Sequence, residues 1–246
     1  MARIITIAGH KGGIGKTTTA LNLGAALSRR KRRVLLIDMD HQQCLGDALQ
    51  ISLPTDGASM AHVLAGRRPL SDVLLDVRGM CLAPAGDGLA AAEAQLGRED
   101  ALRDAVGPLA RRFDYIIIDC PPSLGMLSLN GMAAASEVIL PVQTEYLALR
   151  RLGATLDTIR RVQHEANPKL KVLGILPTLY ARNTLHGQEA YAQLIEQLGR
   201  EYRIFDPIPR TVRFAEAAVA GLPIIDYAPD QDGARAYLAL AKEVDR

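Results

Sequence analysis

Between residues 8 and 18 the chain reads Ala-Gly-His-Lys-Gly-Gly-Ile-Gly-Lys-Thr-Thr, and no other stretch of its 246 residues restricts the fold so tightly. An apolar run, Ile4-Ile5-Thr6-Ile7, precedes it and reads as a buried strand, and Thr19 to Leu27 follows and reads as a helix. A strand that feeds a helix through a glycine-rich turn belongs to a layered α/β arrangement. The glycines let the backbone wrap so that its N–H groups point inward at an anion, and the helix N-terminus adds partial positive charge. Together these parts are the phosphate-binding loop of a nucleotide hydrolase. On this reading Gly12, Gly13, Ile14, Gly15 and Thr18 cradle the nucleotide. Lys16 sits on the β- and γ-phosphates, and the Thr17 hydroxyl coordinates Mg²⁺. The pattern G-x-x-x-x-G-K-[ST] fails only at its first position, where His10 stands in place of glycine. The loop carries a second lysine, Lys11. It reads either as a solvated loop residue or as a lysine close to the phosphates that points away from its own nucleotide.

The rest of the chain alternates strand and helix. Strands are expected over Arg3–Ala8, Arg33–Asp38, Met80–Pro84, Asp114–Asp119, Val138–Val142 and Val172–Pro177. Helices are expected over Thr17–Arg30, Ala101–Arg112, Tyr146–Glu165, Gly187–Arg200 and Gly233–Val244. Several strands are apolar without alternation, as both-face burial requires. The pattern predicts a doubly wound, mostly parallel sheet with helices on both faces, in a single domain over residues 1–246. Pro54 to Ala94 is the least periodic stretch and is expected to hold loops and short helices. No apolar run approaches bilayer length, and the chain opens on a core strand, so no signal peptide is expected. Cys44, Cys81 and Cys120 show no metal-ligand spacing and read as small buried fillers in a reducing, cytoplasmic protein. The formal net charge of +2 does not by itself imply nucleic acid. The run Arg29-Arg30-Lys31-Arg32-Arg33 reads as a solvated helix end in preference to a binding patch. Aromatic residues make up only 4% of the chain, which disfavours base stacking on single strands.

Two acidic segments complete the pattern. Leu35-Leu36-Ile37-Asp38-Met39-Asp40-His41-Gln42 is an apolar strand ending in two carboxylates, on the sheet edge where a parallel sheet binds ligands. Asp40 lies further into the loop and is the candidate for orienting the attacking water. Asp38 is read as supporting the loop or the magnesium shell. Each could also be a plain turn aspartate. Asp114-Tyr115-Ile116-Ile117-Ile118-Asp119-Cys120-Pro121-Pro122 ends in the acidic residue that such hydrolases place near Mg²⁺.

These blocks, with Pro141–Leu149 and Ile208-Pro209-Arg210-Thr211-Val212-Arg213, resemble the ParA/Soj-type partition ATPases, relatives of the MinD-type ATPases that carry a deviant phosphate loop. The likeness covers nearly the whole chain. It implies an ATP-dependent sandwich homodimer in which Lys11 reaches the partner's phosphates and Asp40 positions the hydrolytic water. Asp119 and Thr17 serve Mg²⁺, and Pro209 and Thr211 lie near the adenine. It also implies non-specific binding of double-stranded DNA, nucleoid association, and a ParB-type centromere-binding partner that stimulates slow hydrolysis. Arg182, Arg210 and Arg213 are the candidate DNA contacts, with Lys169 and Lys171 weaker. One departure from the family is His41, where a proline is usual. It reads as leaving the loop more flexible, and as a titratable group near the water or a plain exposed histidine.

The alternative is a MinD-like or cargo-positioning ATPase acting on a membrane or protein scaffold. The alanine-rich tail, Ala236 to Arg246, reads instead as a helix packed on the domain, which disfavours membrane targeting. Metal carriers of this superfamily show a Cys-x-x-Cys, which this chain lacks. No helix-turn-helix precedes the loop, so operator binding is not expected.

Overall fold

The computed structural model of the chain describes residues 2–53, 57–145 and 148–246. Its elements are β1 (Arg3–Ile7), α1 (Lys16–Arg29), β2 (Val34–Asp38), α2 (Cys44–Ala48), α3 (Met60–Leu64), β3 (Leu75–Val77), β4 (Met80–Ala83), α4 (Leu89–Gln95) and α5 (Ala101–Val106). There follow β5 (Tyr115–Asp119), α6 (Met126–Ala134), β6 (Glu137–Gln143), α7 (Ala148–Glu165), β7 (Lys171–Thr178), α8 (Leu185–Leu198), α9 (Arg213–Val219), α10 (Ile224–Tyr227) and α11 (Asp232–Val244). The strands form one sheet in the order β3-β4-β2-β5-β1-β6-β7. Every pairing is parallel except β3 with β4.

The sheet separates two apolar layers. Along β5, Tyr115 and Ile117 face the layer beneath α1 and α11, while Ile116 and Ile118 face the layer beneath α3 to α7. Both sets are buried, so the strand reads as a continuous apolar run. The predicted doubly wound parallel sheet is therefore the observed one. The central strands differ from the predicted ranges by only a residue or two.

Three differences have physical causes. The helix expected over Ala101–Arg112 ends at Val106, and a tight turn over Gly107–Leu109 containing Pro108 replaces its second half. The sequence reading has no helix at α6. That helix is buried all round, Leu127 to Ala134 including Ser128 and Asn130, so it carries no amphipathic period. β3 is also new: it returns antiparallel against β4 through Arg78 and Gly79, both at positive φ, the signature of a two-residue hairpin turn. Cys120 is buried as expected, but Cys44 and Cys81 are only half-buried. Of the expected helix over Tyr146–Glu165, Tyr146 and Leu147 lie outside the described residues, as does Pro54.

The basic run stands exposed at the end of α1, as expected of a solvated helix end, but four of its five cations are ion-paired. Arg29 pairs with Asp226 at 2.6 Å, Arg30 and Arg32 both reach Asp245 at 2.8 Å, and Arg33 pairs with Asp114 at 2.8 Å. The end of α1 thereby clamps the end of α11. The tail helix packs as expected, burying Tyr237, Leu240, Ala241 and Val244 against the α1 layer. The Tyr237 hydroxyl lies 3.1 Å from Thr19 Oγ1. Among the described residues no helix is long and apolar enough to cross a membrane.

Candidate active site

Register alone gathers the site. Ile7, at the end of β1, is level with Asp119, and Asp119 is level with Asp38 on the next strand. The turns leaving β1, β2 and β5 therefore open side by side at the C-terminal edge of the sheet, where the strand order reverses. They surround a cleft of about 520 Å³ lined by Gly12, Gly13, Gly15, Lys16, Thr17 and Thr18 at one end, with Asp40, Gln42 and Pro122 beside them. Pro209, Thr211, Phe214 and Tyr237 line the other end. One end of the cleft is thus rich in backbone N–H groups and polar side chains, and the other is mainly apolar, the division a nucleotide needs.

Gly13 and Gly15 adopt φ of 75° and 85°, which open the loop toward the cleft and are disfavoured for side-chain-bearing residues. The Thr178 hydroxyl donates to Ile14 O at 2.8 Å and fixes the loop to the end of β7. Lys16, 6% exposed, curls over the loop and donates to Lys11 O at 2.9 Å. Burial lowers its pKa, and the Asp119 and Asp40 charges oppose that shift. Lys11 is absent from the cleft wall: its ammonium lies 2.9 Å from Gln143 Oε1 and 3.3 Å from Glu145 Oε2, at the end of β6.

The three aspartates are held differently. Asp38 is fully buried and spends both oxygens on its own loop, accepting from the Asp40 amide at 3.0 Å and the Leu45 amide at 3.1 Å. Burial raises its pKa to about 7, against the pull of those amides. Asp40 accepts from the Gln42 amide at 3.0 Å through Oδ1 and faces the cleft. Asp119 is fully buried, and neither of its oxygens has a hydrogen-bond partner among the described residues. Burial first, then the Asp38 charge, push its pKa well above the ordinary carboxylate range, and Thr17 and Lys16 oppose that shift. An orphaned carboxylate beside a threonine hydroxyl is a site that gains from a hard cation with few protein ligands. The pair fits magnesium shared with phosphate oxygens.

The loop after Asp40 is held at both sides. His41 Nε2 lies 2.8 Å from Glu93 Oε2, and Gln43, at φ 53°, donates through Nε2 to Asp87 Oδ1 at 2.6 Å. His41 is half-buried, so it is not the exposed loop histidine of one sequence reading.

The candidate DNA contacts divide. Arg182 and Arg210 are exposed on adjoining backbone, since the Arg210 amide donates to Tyr180 O at 3.0 Å. Arg213 is exposed but ion-paired to Glu216 at 2.6 Å. Lys171 opens β7 and Lys169 just precedes it, so both stand at the sheet edge opposite the cleft. Sequence reasoning missed Leu179, Ile208, Phe214 and Tyr237 in the cleft wall. Leu179 is at φ 53°, a rare conformation for a bulky residue, but nothing in the sequence marks it.

Fold and cleft together define a phosphate-loop nucleotide hydrolase. Residues 2–172 match a family model described as an AAA domain. The chain is 42% identical over 255 residues to the chromosome partitioning protein ParA of Myxococcus xanthus, covering 99% of this chain and 88% of that one. It is 42% identical over 243 residues to the chromosome-partitioning ATPase Soj of Thermus thermophilus, covering 98% and 95%. The chain belongs to the ParA/Soj family of partition ATPases. Among solved structures it is similar to a cobyrinic acid a,c-diamide synthase of Mycobacterium smegmatis with bound ATP analogue and magnesium, at TM-score 0.87 and 41% identity, covering 100% and 95%. The protein is accordingly an ATPase, with ATP and Mg²⁺ as its nucleotide and metal.

Proposed function

We propose that this ATPase segregates DNA: its ATP-bound form is a sandwich homodimer that binds double-stranded DNA without sequence preference, and a ParB-type partner stimulates hydrolysis and release. The observation that carries the dimer is the placement of Lys11. It belongs to the phosphate loop yet stands outside its own cleft, and in the proposed dimer it reaches the second subunit's phosphates. Movement of the Lys11 ammonium from Glu145 to a partner's triphosphate would couple nucleotide state to association, because only the triphosphate extends far enough to recruit it.

Within one subunit, Gly12 to Thr18 bind the phosphates and Lys16 places its charge on them. Thr17 and Asp119 would hold magnesium, Asp119 through water, and the metal when bound neutralises charge on the phosphate oxygens. Asp40 orients the attacking water. Asp38 supports that loop, its oxygens already being used by the backbone. Pro209 and Thr211 take the base. Arg182 and Arg210 serve DNA phosphates, whereas Arg213 must first leave Glu216. The reading implies a nucleoid-associated protein.

The test is binding to a random DNA duplex with ATP, ADP or no nucleotide at two salt concentrations. Tight binding only with ATP, weakening steeply with salt, is expected. Arg182→Ala with Arg210→Ala should reduce it more than Arg213→Ala does. Absence of binding in every nucleotide state removes DNA as the matrix.

A further inference from the structure

We propose that Glu93 is a positioning residue for ATP cleavage, joining the loop that carries Asp40 to the loop that leaves Asp119, with His41 as its contact on the first. Glu93 stands on α4, outside the nucleotide cleft, and nothing in the phosphate-binding machinery requires it. Its two carboxylate oxygens reach two different loops. Oε2 lies 2.8 Å from His41 Nε2, one residue beyond Asp40. Oε1 accepts from the Leu127 amide at 3.2 Å, in the first turn of α6.

The second contact is where a helix needs an acceptor. The opening amides of α6 have no partner within the helix, and its N-cap, Gly125, has no side chain to cap them. Glu93 supplies a negative charge from outside at that positive end. The approach is close: a Cβ on Gly125 would lie 3.2 Å from Glu93 Oε1. The chain between Asp119 and α6 is short and is further held by Ser128 Oγ donating to Ser123 O at 2.5 Å. Shifting the start of α6 therefore shifts the segment that follows Asp119, while Asp119 itself stays in register on β5.

The first contact depends on the histidine at position 41. A proline at position 41 would set the loop through its fixed φ. Histidine has no such constraint; its buried Nε2 makes no hydrogen bond among the described residues and lies within ion-pair distance of Glu93 on a neighbouring helix. Gln43 to Asp87 adds a second tie from the same loop to the turn before α4. α4 itself is anchored by buried Leu89 and Ala92, so Glu93 projects from a fixed base. Asp40 is aligned on one side by its own backbone contacts and on the other by this latch. A water-positioning carboxylate loses rate on small displacements, so the latch acts on kcat and not on nucleotide binding.

This inference rests on the reading of Asp40 as the water-positioning residue, and the experiment separates the two. Steady-state phosphate release from Mg²⁺-ATP is measured on the full chain for Glu93→Ala, Glu93→Gln, His41→Ala, the Glu93→Ala/His41→Ala double variant and Asp40→Ala, each with a thermal melt. Expected are about a tenfold fall in kcat for Glu93→Ala, with KM within twofold, and a smaller fall for His41→Ala. Glu93→Gln, which keeps an acceptor for the Leu127 amide and a polar contact for His41, should recover most of the rate. The double variant should be no worse than Glu93→Ala alone, because both remove one latch. Unchanged kcat in Glu93→Ala, additive losses, or a Glu93→Gln variant as slow as Glu93→Ala would overturn the proposal. If Glu93→Ala does not fold, His41→Ala and Glu93→Gln decide by the same criteria. Normal turnover in Asp40→Ala defeats the underlying reading instead.

Discussion

Asp40 and Lys16 share one cleft, and in the proposed function they act at different moments. Lys16 is buried in the loop where the phosphates bind, while Asp40 faces the cleft without touching the loop. Lys16→Ala should abolish ATP binding. Asp40→Ala should keep ATP and lose roughly 10²–10⁴-fold in turnover, trapping the dimer, as equilibrium binding and single-turnover assays would show. Asp119 belongs to the same scale. A fully buried carboxylate with neither oxygen hydrogen-bonded among the described residues destabilises the fold unless a proton or cation compensates it. Its raised pKa, with that of Asp38 near 7, means the folded state binds more protons than the unfolded chain over this range. Stability of the nucleotide-free protein should therefore be greatest near pH 4 for these groups and fall as pH rises toward 7. Asp119→Asn should flatten that fall in urea titrations and remove the extra stabilisation that Mg²⁺ adds to ATP.

At the scale of elements, α6 shows why some structure escapes a sequence reading. Its residues are buried on every side, so no hydrophobic period distinguishes it from a loop or strand. Its fit is tight. A Cβ on Gly131 would lie 2.7 Å from Cys120 Sγ and 3.1 Å from Thr6 Oγ1, both on buried strand-end residues. Gly131→Ala gains helix propensity, but the overpacking outweighs it, and a net loss of about 1–3 kcal/mol in chemical denaturation is expected. By contrast β1, β2 and β5 were legible to within a residue or two. Their runs of isoleucine and leucine bounded by aspartate or glycine state both the strand and its end. The hairpin of β3 was not, because a strand of three residues carries too little pattern.

The whole molecule gains stability from its ligand because the phosphate loop, the ends of β2 and β5, and the layer of α9 and α11 all face one cleft. Mg²⁺-ATP at a hundredfold excess over its Kd should add about 2.7 kcal/mol. For a chain of this size that is about 5–10 °C in Tm, and Lys16→Ala should abolish the shift in a calorimetric scan. The phosphate loop and the aspartates proposed to serve metal and water, Asp119 and Asp40, were legible in local sequence, since glycine spacing and aspartates at or just past strand ends are properties of short segments. The apolar end of the cleft, the station of Lys11 on Gln143 and Glu145, and the reach of Glu93 to two loops were decided only by tertiary structure. Those contacts join residues far apart in the chain, and no local pattern encodes which distant side chain a fold will bring alongside.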